Sequence, residues 1–203
     1  MEFAEVVRKR RMVRNYDSDR PVDRSVLTEL LDLAIRAPSA GFSQGWHFLV
    51  LDTVGDRAVF WEATADPTAE PDSWLQGMQA APVLILAIAD KNAYLDRYAA
   101  SDKGWTDRDE ARWPVPYWDI DTGMASLLIL LGAVDHGLAS CFFGVPANRH
   151  SEVKQALGIA DELSIVGVIS LGYPAPDRKS PSLKRGRRPL SEVVSYGRMS
   201  AEA

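Results

Sequence analysis

Three arginines within five residues, Arg10, Arg11 and Arg14, stand just before the turn Asn15-Tyr16-Asp17-Ser18, with no acidic residue among them. Guanidinium groups packed this closely repel one another. The arrangement makes physical sense where an anion sits there, because the arginine fork matches phosphate oxygens in a bidentate way. A second basic run, Lys184-Arg185-Gly186-Arg187-Arg188, lies near the other end of a chain whose net charge is −5. Two cationic patches at opposite ends of an acidic chain suggest one phosphate held by both. On charge alone the plainer reading, two solvated surface runs, is the stronger.

Three further segments carry residue types that could act on a ligand. The loop Ser39-Ala40-Gly41-Phe42-Ser43-Gln44-Gly45 is small enough for a ligand to approach its backbone, and Ser43 and Gln44 offer hydrogen bonds, although an ordinary connecting turn has the same composition. The apolar stretch Ser140-Cys141-Phe142-Phe143 ends in Gly144-Val145-Pro146 and can present backbone N–H groups to a flat ring. Cys141 has no base near it in sequence and reads as a buried structural thiol. Trp105, Trp113, Tyr117 and Trp118, with Tyr94 and Tyr98, make either a stacking wall for a planar substrate or packing anchors.

What is missing narrows the chemistry. The chain has no G-x-G-x-x-G after a strand, no G-x-x-x-x-G-K-[ST] and no G-x-S-x-G. His47, His136 and His150 are scattered and Cys141 is the one cysteine, so neither a metal site nor an internal disulfide is expected. The negative balance argues against a nucleic-acid partner. With Glu2 and Glu5 near the start and no long apolar core there, no signal peptide is expected. The apolar run Met124 to Val134 is too short for a bilayer span, so a cytoplasmic protein without membrane contact is expected.

Holding these segments in place requires a framework, and periodicity supplies one. The 203 residues, 46% of them apolar, suffice for one domain over 1–203 with no internal boundary. Helices are predicted over Glu2 to Arg11, with Phe3, Val6 and Val7 on one side, and after Pro21, with Asp23 or Ser25 as cap and Pro38 as stop. A helix from Val54 to Ala65 precedes an acidic, Pro-containing loop to Pro71. Strands are predicted at Trp46 to Leu51, Val83 to Ala89, Ala139 to Val145 and Ser164 to Gly172, the second buried on both faces. Ile120 to Val134 reads as a central buried helix ended by Gly137, and a short helix spans Ser151 to Leu157. Lys91 to Tyr117 shows no period and reads as an excursion able to cover a site. Pro174 to Arg188 reads as an extended arm.

The order of the motifs is more specific than any one of them. Arg10-Arg11-Met12-Val13-Arg14-Asn15-Tyr16, then Ala37-Pro38-Ser39-Ala40-Gly41-Phe42-Ser43-Gln44-Gly45-Trp46-His47-Phe48, then Gly137-Leu138-Ala139-Ser140-Cys141-Phe142, then Arg187-Arg188-Pro189-Leu190 resembles the nitroreductase family of FMN enzymes over almost the whole chain. The resemblance implies an α+β, three-layer fold with a small mixed sheet surrounded by helices, and a homodimer with an extended C-terminal arm. It implies two FMN sites at the subunit interface, each built from both chains. Arg10, Arg11 and Arg14 would hold the phosphate and ribityl end, joined by Arg185 and Arg187. Met12 replaces a small polar residue, so only its backbone could serve. Ser39, Ala40 and Ser43 would come from the partner chain. Phe143 and Gly144 would lie against the other edge of the ring.

The implied chemistry is the cofactor's: NADH or NADPH delivers a hydride and a small aromatic acceptor, a nitroaromatic or a quinone, collects it in ping-pong fashion, with no catalytic acid or base from the protein. Two positions depart from the family pattern, Phe42 where an asparagine is frequent and Gly45 where a proline is. Phe42 would then pack on the ring or narrow the slot. A specialised relative (reductive dehalogenase, benzimidazole-synthase-like or deazaflavin-linked) and a flavin-binding protein without turnover are the alternatives.

Overall fold

The computed structural model describes residues 1–66, 68, 72–177 and 180–199. The chain runs α1 (Phe3–Lys9), α2 (Arg24–Ala34), β1 (Trp46–Leu51), α3 (Val54–Thr64), α4 (Ser73–Gln79), β2 (Val83–Asp90), α5 (Lys91–Ala99), α6 (Tyr117–Asp135), β3 (Ala139–Phe143), α7 (His150–Leu157), β4 (Leu163–Gly172) and α8 (Leu190–Val193).

Four strands form one sheet in the order β1-β2-β4-β3, and each neighbouring pair is antiparallel. The expectation of a mixed sheet is corrected on this point. Parallel pairing is confined to an isolated bridge between Met12 and Ser140, outside the strands. β2 is buried along nearly its whole length because both sheet faces are covered. Strand alternation sends Leu84, Leu86 and Ile88 into one core with Phe60 of α3, Met78 of α4 and Val153 of α7. Val83 and Ile85 enter the other core with Leu30 of α2 and Ile129 and Ala133 of α6. The result is helix, sheet, helix: three layers.

The helices start where local chemistry tells them to. The Asp23 carboxylate accepts from the Ser25 N–H at 2.8 Å and the Thr53 hydroxyl from the Asp56 N–H at 3.1 Å. α6 stops at Gly137, whose φ of 70° lets the Leu138 N–H return to the Ala133 carbonyl at 2.7 Å.

Four readings need revision. α4 escaped notice because Gly77 interrupts its apolar pattern, although Asp72 caps it through the Leu75 N–H at 2.8 Å. α5 was hidden in the aperiodic excursion because aromatic and charged residues carry it, with Asp90 as its cap. α6 is not buried all round: Ile120 is 43% and Leu127 46% exposed on its outer side. It is long and apolar enough to cross a membrane by length and composition, yet Ala125, Ile129 and Ala133 are fully buried in the core. Finally, the arm from Pro174 to Arg188 is not uniformly extended, since a 3₁₀ turn at Pro181–Arg185 interrupts it; the short α8 follows it. The loop read as ending at Pro71 falls partly outside the described residues. In α1 only Val6 is buried, while Phe3 and Val7 face solvent.

Candidate functional site

Residues Arg10 to Asp17 form a strap along the free edge of β3. The Val13 N–H donates to the Ser140 carbonyl at 3.0 Å, and the buried Tyr16 hydroxyl donates to the Val13 carbonyl at 2.7 Å and lies 2.7 Å from Ser170 Oγ. Burial, more than any charge, pushes the Tyr16 phenol above its ordinary range, so it stays a neutral donor. On its other side the strap meets the start of the tail. The Ala175 N–H donates to the Asn15 carbonyl at 3.1 Å, Asn15 Nδ2 to the Pro176 carbonyl at 2.9 Å, and the Arg14 N–H to Asp177 Oδ2 at 3.0 Å.

Beneath it lies α4. The space a Cβ would fill at Gly77 is taken by the Arg14 carbonyl oxygen, so a glycine is required for the strap to sit this close. Arg14, Asn15, Ser73, Trp74, Gln76 and Gly77 line a cleft of about 620 Å³ that Asp177, Ser180 and Pro181 close from the tail side.

The guanidinium groups differ in what they touch. Arg14 Nη1 donates to the Met12 carbonyl at 3.2 Å, and Arg11 is exposed. Arg10 Nη1 is buried and has no hydrogen-bond partner among the described residues. Both Arg10 and Arg14 lie close enough to Cys141 to pull its thiol pKa down, yet burial outweighs them and raises it, so Cys141 remains a thiol. A buried guanidinium nitrogen without an acceptor costs free energy, roughly 1–3 kcal/mol or more, until an anion supplies one. The Met12 side chain packs against both cores, while its backbone bridges to Ser140 and its carbonyl accepts from Arg14 Nη1.

The contact expected of Phe143 and Gly144 is through backbone N–H groups, and the Phe143 side chain packs inward. Its ring stacks on Trp61 at 5.9 Å with planes 4° apart and meets Trp74 edge-on at 6.2 Å, which leaves only the backbone of Phe143 and Gly144 for a ligand. Nothing lies within 4 Å of the open side of Gly144.

The loop of Ser39, Ala40, Phe42 and Ser43 is elsewhere. It leads into β1, at the opposite edge of the sheet from the strap, which lies outside β3 and so four inter-strand spacings or about 19 Å away. Gly41, Phe42 and Gln44 have φ of 62°, 56° and 51°, and the Phe42 ring is 74% exposed. A left-handed conformation costs a residue such as Phe42 about 1–2 kcal/mol. Ser39 Oγ accepts from the Gln44 N–H at 3.0 Å and Ser43 Oγ donates to the Ala40 carbonyl at 2.7 Å.

The aromatic set packs on itself. Trp113 stands at its centre with ring centroids 4.6 Å from Tyr98, 5.9 Å from Tyr94 and 6.1 Å from Trp118. These rings are anchors for the excursion.

Comparison with known proteins assigns the family. The sequence model of the Nitroreductase family matches residues 7–173. The chain belongs to the nitroreductase family. It is 30% identical over 222 aligned positions to a 4-nitrobenzoate reductase of Nocardioides sp., covering 96% of this chain and 89% of that protein. It is 28% identical to an NADH dehydrogenase of Thermus thermophilus, covering 93% and 92%. Its fold matches the crystal structure of a nitroreductase from Exiguobacterium sibiricum in complex with FMN, with a TM-score of 0.73 at 22% identity over 97% of each chain.

In this nitroreductase-family chain two further expected residues, Arg185 and Arg187, make no hydrogen bond to the strap among the described residues. Both are exposed, and among the described residues the tail meets the strap only through residues 173–177. Sequence reasoning passed over Ser73, Trp74 and Gln76 because α4 was not recognised; Asp72 three residues before Leu75 was the available signal. It also passed over Asp121. That carboxyl is 2% exposed and accepts from both the Ala40 N–H and the Tyr94 hydroxyl, each at 2.8 Å.

Proposed function

We propose that this protein is an FMN-dependent NAD(P)H oxidoreductase of the cytoplasm that reduces nitroaromatic, quinone or related small aromatic acceptors as a homodimer. The observation that carries the reading is the buried Arg10 Nη1, without a partner among the described residues, on a strap that already carries Arg11 and Arg14. A phosphate dianion satisfies such a donor set, so the residues present fit the group. Arg10 and Arg14 would hold the phosphate end, with Arg11, Arg185 and Arg187 adding charge. The Gln76 and Ser73 side chains and the Gly144 backbone would orient the ring. Bound FMN would supply the hydride chemistry, taking two electrons from NADH or NADPH and passing them to the acceptor. The chain's own part is to bind, orient and exclude water. The thiol of Cys141 stays protonated and outside that chemistry.

Two placements support a site built from two chains. The strap and the Ser39 loop lie at opposite sheet edges, so one flavin can touch both only if the loop comes from a second copy. The surfaces that copy would cover are present: the outer stripe of α6 with Ile120 and Leu127, and a tail whose Leu183, Leu190 and Tyr196 are exposed.

The visible spectrum of the purified protein tests the reading, followed by anaerobic addition of NADH and NADPH separately. Flavin absorbance that bleaches with a nicotinamide and returns with a nitroaromatic or a quinone is expected. Colourless protein that takes up no added FMN overturns it. Flavin that no nicotinamide reduces leaves a binding protein.

A further inference from the structure

The Ser39–Gly45 loop holds three left-handed residues within four positions, two of them not glycine. Such a backbone persists only where its surroundings over-determine it. The loop's constraints come from elements far along the chain. Asp121, on the second turn of α6, accepts from the Ala40 N–H, and the same Oδ2 atom accepts from the hydroxyl of the fully buried Tyr94 on α5. Arg97 of α5 donates through Nε to the Gly41 carbonyl at 3.0 Å, its other two nitrogens gripped by Asp102 at 2.7 Å each. The Tyr98 ring fills the space above Gly41 and the Tyr94 ring the space above Gly45, where an added Cβ would meet each at 2.6 Å. Gly45 is thereby explained: a proline ring would collide with Tyr94.

We propose that Asp121, acting through the Tyr94 hydroxyl and the Ala40 N–H, is a positioning residue for the Ser39–Gly45 loop of the flavin site, with Arg97 as its second brace. The excursion is then a buttress for that loop rather than a cover. Its exposed ion pairs, Lys91 with Glu110 and Arg112 with Asp107, tie the excursion to itself, while the Trp113 aromatic cluster seats it on the body. Both loop serines are tied to loop backbone, so the loop's shape is set from behind and its exposed Phe42 ring is presented forward. The inference rests on the proposed flavin site, since only there does the loop's exact shape bear on binding.

Hydrogen exchange of the full-length protein, read before and after saturation with FMN, tests it. Asp121→Ala is expected to speed exchange of the Ala40 amide at least tenfold without changing β2 or α7, and to raise the FMN dissociation constant at least fivefold. Asp121→Asn keeps a carbonyl oxygen for the same two donors and should return both values to within threefold of the parent. Tyr94→Phe keeps the ring over Gly45, so it folds if Asp121→Ala does not, and it should fall between the two. Unchanged Ala40 exchange in Asp121→Ala, or an Asn variant no better than the Ala variant, overturns the proposal. The exchange readout on flavin-free protein stands apart from the functional reading: wild type that never binds FMN sinks that reading, and unaltered exchange sinks only this one.

Discussion

The strap at one edge of the sheet and the loop at the other are built on opposite plans. The strap uses its backbone groups to attach itself, to Ser140 on one side and to residues 173–177 on the other, and leaves guanidinium donors uncommitted. The loop does the reverse: its side chains and main chain are tied to each other and to α5 and α6, and what it offers outward is a strained backbone and one phenyl ring. A segment that binds an ion needs spare donors in a fixed place, and extended pairing to a strand edge fixes the main chain without using side chains. A segment that shapes a slot needs a fixed contour, which for left-handed residues only external bracing maintains.

The difference is open to direct attack. If the strap's spare charge binds together with the tail's, Arg14→Ala and Arg187→Ala should each weaken FMN retention by the worth of one charge-assisted bond, about 1.5–3 kcal/mol or roughly 10- to 150-fold in dissociation constant. Fluorescence titration reads this directly; equal affinity in both variants would remove the phosphate from the strap.

A smaller effect is expected on the strap's anchor. The Tyr16 phenol is raised by burial above its unfolded pKa near 10, so the folded state keeps a proton that the unfolded state has lost. Its contribution is complete below about pH 10 and falls by about 1.4 kcal/mol per unit above that. Tyr16→Phe should cost about 1 kcal/mol near neutrality, through its lost bonds to Val13 and Ser170, and should flatten the alkaline decline in urea midpoints. An undiminished alkaline slope in the variant would exonerate this tyrosine.

The smallest change belongs to the loop. Asparagine tolerates the left-handed region better than phenylalanine, and Phe42 buries little, so Phe42→Asn should stabilise the protein by about 1 kcal/mol or less, visible as a slightly higher Tm. A lower Tm would mean that the exposed ring packs on something in the assembled protein.

How much could be read in advance follows the range of the interactions involved. β2 was legible because an unbroken β-branched and aliphatic run bounded by Pro82 and Asp90 has few alternatives, and α2 because its cap and period agree. α4 and α5 were not, since Gly77 and the mix of aromatic and charged residues in Lys91–Ala99 make sense only against Arg14 and the Ser39 loop. The strap's arginines announced themselves by mutual repulsion. The role of Asp121 could not, because its partners are Ala40 and Tyr94, 81 and 27 residues away.

Residue types and local spacing thus determined the strands, most helices, the charge cluster and the family. The packed molecule alone decided that the sheet is wholly antiparallel, that Phe143 turns its ring into the core, that Arg10 keeps a nitrogen unpaired among the described residues and that the two site segments face opposite edges. Those outcomes depend on which surfaces meet across long stretches of chain, and a short-range pattern holds no record of its distant neighbour.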